Sequence, residues 1–289
     1  MWQRARERAL EGMICACGIS SIAIVALIFF FLLKEGLALF HAVRVQDFLL
    51  GDRWYPISEP PRFGILPLIL GSGLVTAGAI ALSVPVSIAS ALCISEVARG
   101  WMKDALKTGI ELLAAIPSVV LGFIGMTVLA PWIKHSFHLI TGLTALTGSI
   151  TLALMAVPTI VSITEDALAA VPRSHREAAL ALGATKWQMM SRVLLPAARP
   201  GILAAVMLGI GRVIGETMAV MMVTGNASVV PRSLLQPERT MTATIAAEMG
   251  EAVRGSEHYC ALFAIGIVLF VISFLVNALA DAFLHQERA

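Results

Sequence analysis

Charge is excluded from long stretches of this sequence. Six runs, Met13–Leu33, Pro67–Ser95, Leu112–Trp132, Leu139–Ile163, Gly201–Val230 and His258–Ala280, make up about half of the 289 residues. Of the 21 basic and 19 acidic side chains, only Arg212 and Glu216 fall inside them. A helix of a water-soluble domain returns a polar face to solvent every turn, so runs of this length without charge mean a lipid environment. Each run reaches the roughly 20 residues that a helix needs to cross a hydrocarbon core of about 30 Å. Barrel strands would show alternation over about 10 residues, which these solid runs lack, so the predicted fold is all-α with six transmembrane helices. Composition agrees: 58% of residues are hydrophobic and 14% charged, against roughly 45–50% and about 25% in soluble domains.

The net charge of +2 is small and the basic residues are dispersed, which argues against a nucleic-acid partner. Cys15, Cys17, Cys93 and Cys260 lie in or beside apolar runs and read as small packing residues, not as a disulfide or metal set. Arg4, Arg6 and Arg8 precede a 21-residue run that ends at Lys34-Glu35 without a small-residue cleavage site, so the first run reads as an anchor, not as a removed leader. With the N-terminus inside, the inner segments hold 12 Lys and Arg and the outer segments 8. This bias predicts cytoplasmic termini and a multi-pass protein of the cell membrane.

The longest inner segment, about 164–200, is also the most structured. Ser174-His175-Arg176-Glu177 has the form of a capping box that starts a short helix, and Gly183 supplies the left-handed residue that closes it. Thr185-Lys186-Trp187-Gln188 repeats the box for a second helix, which Pro196 and Pro200 are expected to end. Elsewhere His135 and His138 lack a third ligand, so no metal site is predicted. No phosphate-binding loop of the Gly-x-x-x-x-Gly-Lys-Ser/Thr form occurs, so any ATP must be bound by another subunit.

Within this segment Glu177-Ala178-Ala179, three residues, Gly183, nine residues and then Val193-Leu194-Leu195-Pro196 fit the EAA motif of the membrane subunits of bacterial ABC importers, with Val at its Ile position. The stretch Glu111–Gly122, with its Ile116-Pro117-Ser118, the Val157-Pro158-Thr159 turn and the stretch Gly209–Val220 resemble the PstC-type permease branch of phosphate importers. The likeness covers about residues 63–283, leaving residues 1–62 as an N-terminal anchor helix with an outer loop before a permease core at 63–289. The resemblance implies a MetI-like permease fold and a transporter subunit without enzymatic activity or a cofactor of its own. It further implies two ATPase subunits, a second homologous permease subunit of the PstA type and an extracytoplasmic phosphate-binding protein as partners. Glu177, Ala178, Ala179 and Gly183 would then form the coupling helix in a groove of the ATPase. Related permeases for sulfate, molybdate or tungstate typically read Gly-Glu-Phe where this chain has Gly215-Glu216-Thr217, which favours phosphate over those oxyanions.

Arg212 and Glu216, four residues apart, are predicted to form a pair on one side of the fifth helix. Burying an arginine in the bilayer costs about 2.5–3.5 kcal/mol, so the side chain should face the bundle interior or a watery path. Two roles remain open: a structural ion pair, or a guanidinium fork that meets a passing anion while Glu216 orients it and takes a bond from the phosphate hydroxyl. Gly209, Gly211 and Gly215 thin the helix here, for close approach of a neighbouring helix or of the anion. Pro85, Pro117 and Pro158 are expected to bend their helices.

Overall fold

The computed structural model describes the backbone of residues 2–286 and the side chains of residues 10–279 and 282. Arg4, Arg6, Arg8 and Arg288, which enter the count of inner charges, lie outside the described side chains. The chain runs α1 (Trp2–Leu37), a 3₁₀ turn (Ala38–His41), α2 (Val45–Leu50), a hairpin of β1 (Trp54–Tyr55) and β2 (Arg62–Phe63), then α3 (Leu66–Leu92) and α4 (Trp101–Ala115). It continues through α5 (Ser118–Ile124), α6 (Ala130–Ser136), α7 (Ala145–Ala170), α8 (Arg173–Ala181), α9 (Lys186–Met189), α10 (Leu195–Gly215), α11 (Met218–Val223), α12 (Met241–Glu248) and α13 (Glu257–Gln286). Among the described residues, six helical spans are long and apolar enough to cross a membrane: Leu10–His41, Leu66–Val97, Ser118–Ser136, Ala145–Ala170, Lys186–Gly215 and Glu257–Leu279. The protein is thus a helical, multi-pass membrane protein, as the charge-free runs require.

Three clusters of buried side chains are stacked along α3. At the hairpin end Leu68 joins Leu39, Phe48, Trp54, Phe63 and Leu262. Midway, Val75 and Ala79 pack with Leu152, Ala156, Ile160, Ala205 and Val220. At the opposite end, Ala91 and Ile94 meet Leu168, Ala179, Met190, Leu194 and Ile202. Small residues let these helices come close: a methyl on Gly78 would reach within 2.4 Å of Ser149 Oγ on α7. Helix α1 is peripheral, packing its later half on α13 through Phe29 with Phe270 and Phe31 with Phe263. Cys15 and Cys17 are exposed on α1 and Cys93 is half-buried, so of the four thiols only Cys260 packs into a core as predicted.

Three local departures from the sequence reading have physical causes. The third run is not one helix: it breaks at Ile116-Pro117, because Pro117 holds an extended backbone (φ −59°, ψ 141°) and caps a new helix. Pro196 and Pro200 do not end a helix. The turn before Pro196 widens to a π turn at Met190–Leu194, so that Leu195 N–H reaches back to Met190 O and the proline ring, which clashes in an ordinary helix, finds room. The π turn at Gly125–Leu129 does the same ahead of Pro131. The result is one continuous span, Lys186–Gly215.

The third departure is at residue 174. Helix α8 starts at Arg173, capped by Pro172 without a side-chain bond, so Ser174 falls inside the first turn and the Ser174–Glu177 box does not form. The second box does: Thr185 is extended, its Oγ1 accepts from Gln188 N, and Gln188 Oε1 accepts from Thr185 N at 2.8 Å. Between them Gly183 (φ +80°) closes α8, with Gly183 N–H donating to Leu180 O (3.0 Å) and Ala184 N–H to Ala179 O (3.1 Å).

Candidate translocation and coupling sites

Helix α10 presents two unlike faces. Ala198, Ile202, Ala205, Gly209 and Val213 are buried at helical spacing against the chain itself. Leu208, Gly211, Arg212 and Gly215 form the opposite stripe and are exposed. Only the first of the three predicted glycines makes a close approach within the chain: a methyl on Gly209 would fall 2.6 Å from Ile160 Cγ1, whereas Gly211 and Gly215 face open space. Arg212 is therefore a charge on an uncovered face of a membrane-spanning helix. Its Nη1 donates to Thr159 Oγ1 at 2.8 Å. Thr159 lies near the middle of α7, next to Pro158, so the guanidinium is held near half the depth of the bundle.

The predicted Arg212–Glu216 pair is not formed. An i,i+4 pair requires an unbroken helix, and α10 stops at Gly215; Glu216 is extended (φ −70°, ψ 133°). Its Oε1 instead accepts from Ala219 N–H at 3.2 Å, capping the first turn of α11, while its carbonyl accepts from Thr242 Oγ1 at 2.9 Å. Glu216 thus fixes the break between α10 and α11, and Arg212 keeps four of its five N–H donors without a hydrogen bond among the described residues.

At the α8 end, the EAA segment divides by exposure. Glu177, Ala178 and Gly183 are exposed, and Ala179 is 8% exposed in the core cluster with Met189 and Leu194, so its methyl faces the bundle and not a partner. Around the elbow two large apolar side chains are exposed: Leu182 (89%), outside the membrane spans, and Trp187 (68%), in the first turn of the span Lys186–Gly215. Exposed apolar side chains of this size mark a surface that meets another protein or the membrane.

Two polar sites near the hairpin end were not read from the sequence, because their parts come from distant segments. The Glu248 carboxylate accepts from Trp54 Nε1 (3.1 Å) and Arg239, and lies 2.8 Å from His258 Nε2, tying the hairpin to α12 and α13. Glu238 is fully buried and both its carboxylate oxygens lack a hydrogen-bond partner. Burial pushes its carboxyl from 4.5 up to about 8. A carboxyl raised in the folded state makes the unfolded chain the better proton donor, so stability falls as pH rises from 4.5 towards about 8. Glu238→Gln keeps the shape without the charge; it is expected to raise the melting temperature at pH 8.5 and leave it nearly unchanged at pH 5. Thermal denaturation of the detergent-solubilised protein at the two pH values checks this.

The comparisons with known proteins place this arrangement. A family model described as a binding-protein-dependent transport system inner membrane component matches residues 83–286. The chain belongs to that family. It is an ABC transporter permease component, and the α8–α9 elbow and the open face of α10 are parts of that permease domain. It is 43% identical over 265 residues to a probable ABC transporter permease protein, YqgH, of Bacillus subtilis, covering 91% of this chain and 86% of the relative. It is 39% identical to the phosphate transport system permease protein PstC of Mesorhizobium japonicum, covering 84% of this chain and 79% of that protein. A bacterial ABC transporter involved in alginate import superimposes with a TM-score of 0.64 at 17% identity, over 96% of this permease and 99% of that chain. An inward-facing MetNI methionine transporter does so with a TM-score of 0.61 at 17% identity, over 80% and 99%.

Proposed function

We propose that the permease moves inorganic phosphate inward across the bacterial cell membrane, driven by ATP that a partner ATPase hydrolyses, with both its termini in the cytoplasm. The observation that carries the anion reading is the guanidinium of Arg212, held by Thr159 at mid-depth on a face that the chain leaves uncovered. A guanidinium has a planar fork of donors that matches two oxygens of a phosphate, and one donor spent on Thr159 leaves the fork free. The similarity to PstC proteins of several bacteria supports phosphate as the anion.

Glu216 acts here as the residue that fixes the helix break and keeps negative charge near the fork, so that the anion is held weakly enough to leave. The uncovered stripe Leu208, Gly211, Arg212 and Gly215 is where a second, PstA-type permease subunit completes the path. Two ATPase subunits engage the exposed elbow through Glu177, Ala178 and Gly183 with Leu182 and Trp187 around them, and an extracytoplasmic phosphate-binding protein delivers the anion at the hairpin end. Cells lacking the chain are expected to lose high-affinity uptake of labelled phosphate and regain it with the restored gene, while sulfate and molybdate uptake stay unchanged. Loss of sulfate or molybdate uptake with phosphate uptake intact would reassign the substrate.

A further inference from the structure

Arg176 belongs to α8 but its side chain leaves the elbow surface. It is mostly buried, and its hydrogen bonds among the described residues go to the ends of α7 and α3. Nη1 donates to Val171 O at 2.8 Å and Nη2 to Leu168 O at 2.8 Å, the carbonyls at the end of α7. Nε donates to Glu96 Oε1 at 3.1 Å, in the π turn Cys93–Val97 that ends α3. Glu96 is held in turn by Ser95 Oγ at 3.2 Å. A cation suits the C-terminal carbonyls of a helix, and a planar guanidinium bonded at three points cannot swing as a flexible amine would.

We propose that Arg176 is the strut that carries a displacement of α8 into α7 and α3, a role that rests on reading the elbow as the ATPase contact. Helix α7 is well placed to pass the movement on. Leu168, which Arg176 grips, is nine residues from Thr159, or about 13 Å at 1.5 Å per residue, and Thr159 holds Arg212. One rigid helix therefore connects the elbow to the guanidinium. The same helix is tied sideways to α4, since Glu165 lies 3.8 Å from Lys103 Nζ and 3.5 Å from Lys107 Nζ. A push on α8 that the Arg176 fork transmits moves α7, α3 and α4 as a unit; without the fork the elbow tilts on its own. Arg176 is a positioning residue and touches neither ATP nor anion.

The test uses the complete complex in liposomes and reads the phosphate moved per ATP hydrolysed. A Leu182→Cys variant, cross-linked to the ATPase, reports docking separately. For Arg176→Gln the ratio is expected to fall about tenfold, the size of a typical lost coupling energy, while cross-linking and ATPase co-purification persist. A merely structural arginine would lower assembly and activity together and leave the ratio of the surviving complexes unchanged, and that result overturns the proposal. Should Arg176→Gln fail to assemble, Glu96→Ala decides: it removes the acceptor of the α3 arm and leaves the two bonds to α7, and the ratio must still fall, by about threefold. An unchanged ratio there also overturns the strut while leaving the docking reading intact. Absence of the Leu182 cross-link in the otherwise unaltered complex overturns the docking reading itself, and the strut with it.

Discussion

Arg212→Ala is expected to lower phosphate uptake by about 10²–10⁴-fold, the loss of two charge-assisted hydrogen bonds of about 1.5–3 kcal/mol each, with the complex still assembled. The two halves of that outcome come from different observations. Uptake falls because the fork is the charged group on the uncovered face of α10. Assembly survives because no ion pair holds Arg212 to Glu216 among the described residues; the substitution leaves only the Thr159 hydroxyl without its donor. Arg212→Lys separates charge from geometry. It keeps the cation but not the planar fork, and uptake between the two extremes is expected. Uptake of labelled phosphate, measured beside the amount of purified complex, checks all three. Had the residue served only to lock helices, complex yield and uptake would fall in parallel.

The second large effect lies at the elbow. Gly183 adopts φ +80°, which costs an L-residue about 1–2 kcal/mol and a β-branched one more. Apart from its two chain neighbours, no described residue comes within 4 Å of where its Cβ would sit, so the cost comes from the backbone conformation and not from a clash. This fixes the order of a substitution series. Gly183→Asn, which tolerates the left-handed region, should remain close to normal; Gly183→Ala should be impaired; Gly183→Val should lose at least about 90% of ATP-coupled uptake, because a strained turn either re-aims α9 or melts the two bonds to Leu180 and Ala179. ATPase co-purification and uptake per ATP, measured across the series, give the ranking. Equal effects of Asn and Val would show that the turn angle does not matter.

The membrane architecture was legible in the sequence because it rests on charge exclusion, which the order of residues along the chain records directly. Helix ends were less so. Spacing suggested that Arg212 and Glu216 pair, but spacing tells faces only while a helix continues, and Gly215 with the extended Glu216 ends it. Ser174 and Thr185 carry the same motif, yet only Thr185 caps: Pro172 already occupies the extended position before α8, and no such proline precedes α9. Pro117 breaks a helix that Pro85 and Pro158 leave continuous, so the identity of the residue alone did not decide.

The elbow motif itself was visible as a pattern, but which side of it is presented was not. Ala178 faces out and Ala179 packs inward, a distinction that depends on the cluster around Met189 and Leu194. The bond of Arg176 to Glu96 and that of Arg212 to Thr159 join residues 80 and 53 positions apart. No local period encodes such pairs. A charge at the end of an apolar run, as Glu96 is, was the one available hint.

The central claim is that ATP hydrolysis outside this chain, received at α8 and α9, drives phosphate past Arg212. Its most direct measurement is phosphate entry into sealed vesicles holding the purified permease pair, the ATPase and the binding protein, with ATP supplied on the elbow side. Accumulation above the outside concentration that requires ATP, and that stops when the ATPase is omitted, is the predicted result; uphill accumulation by the permease without the ATPase would contradict it.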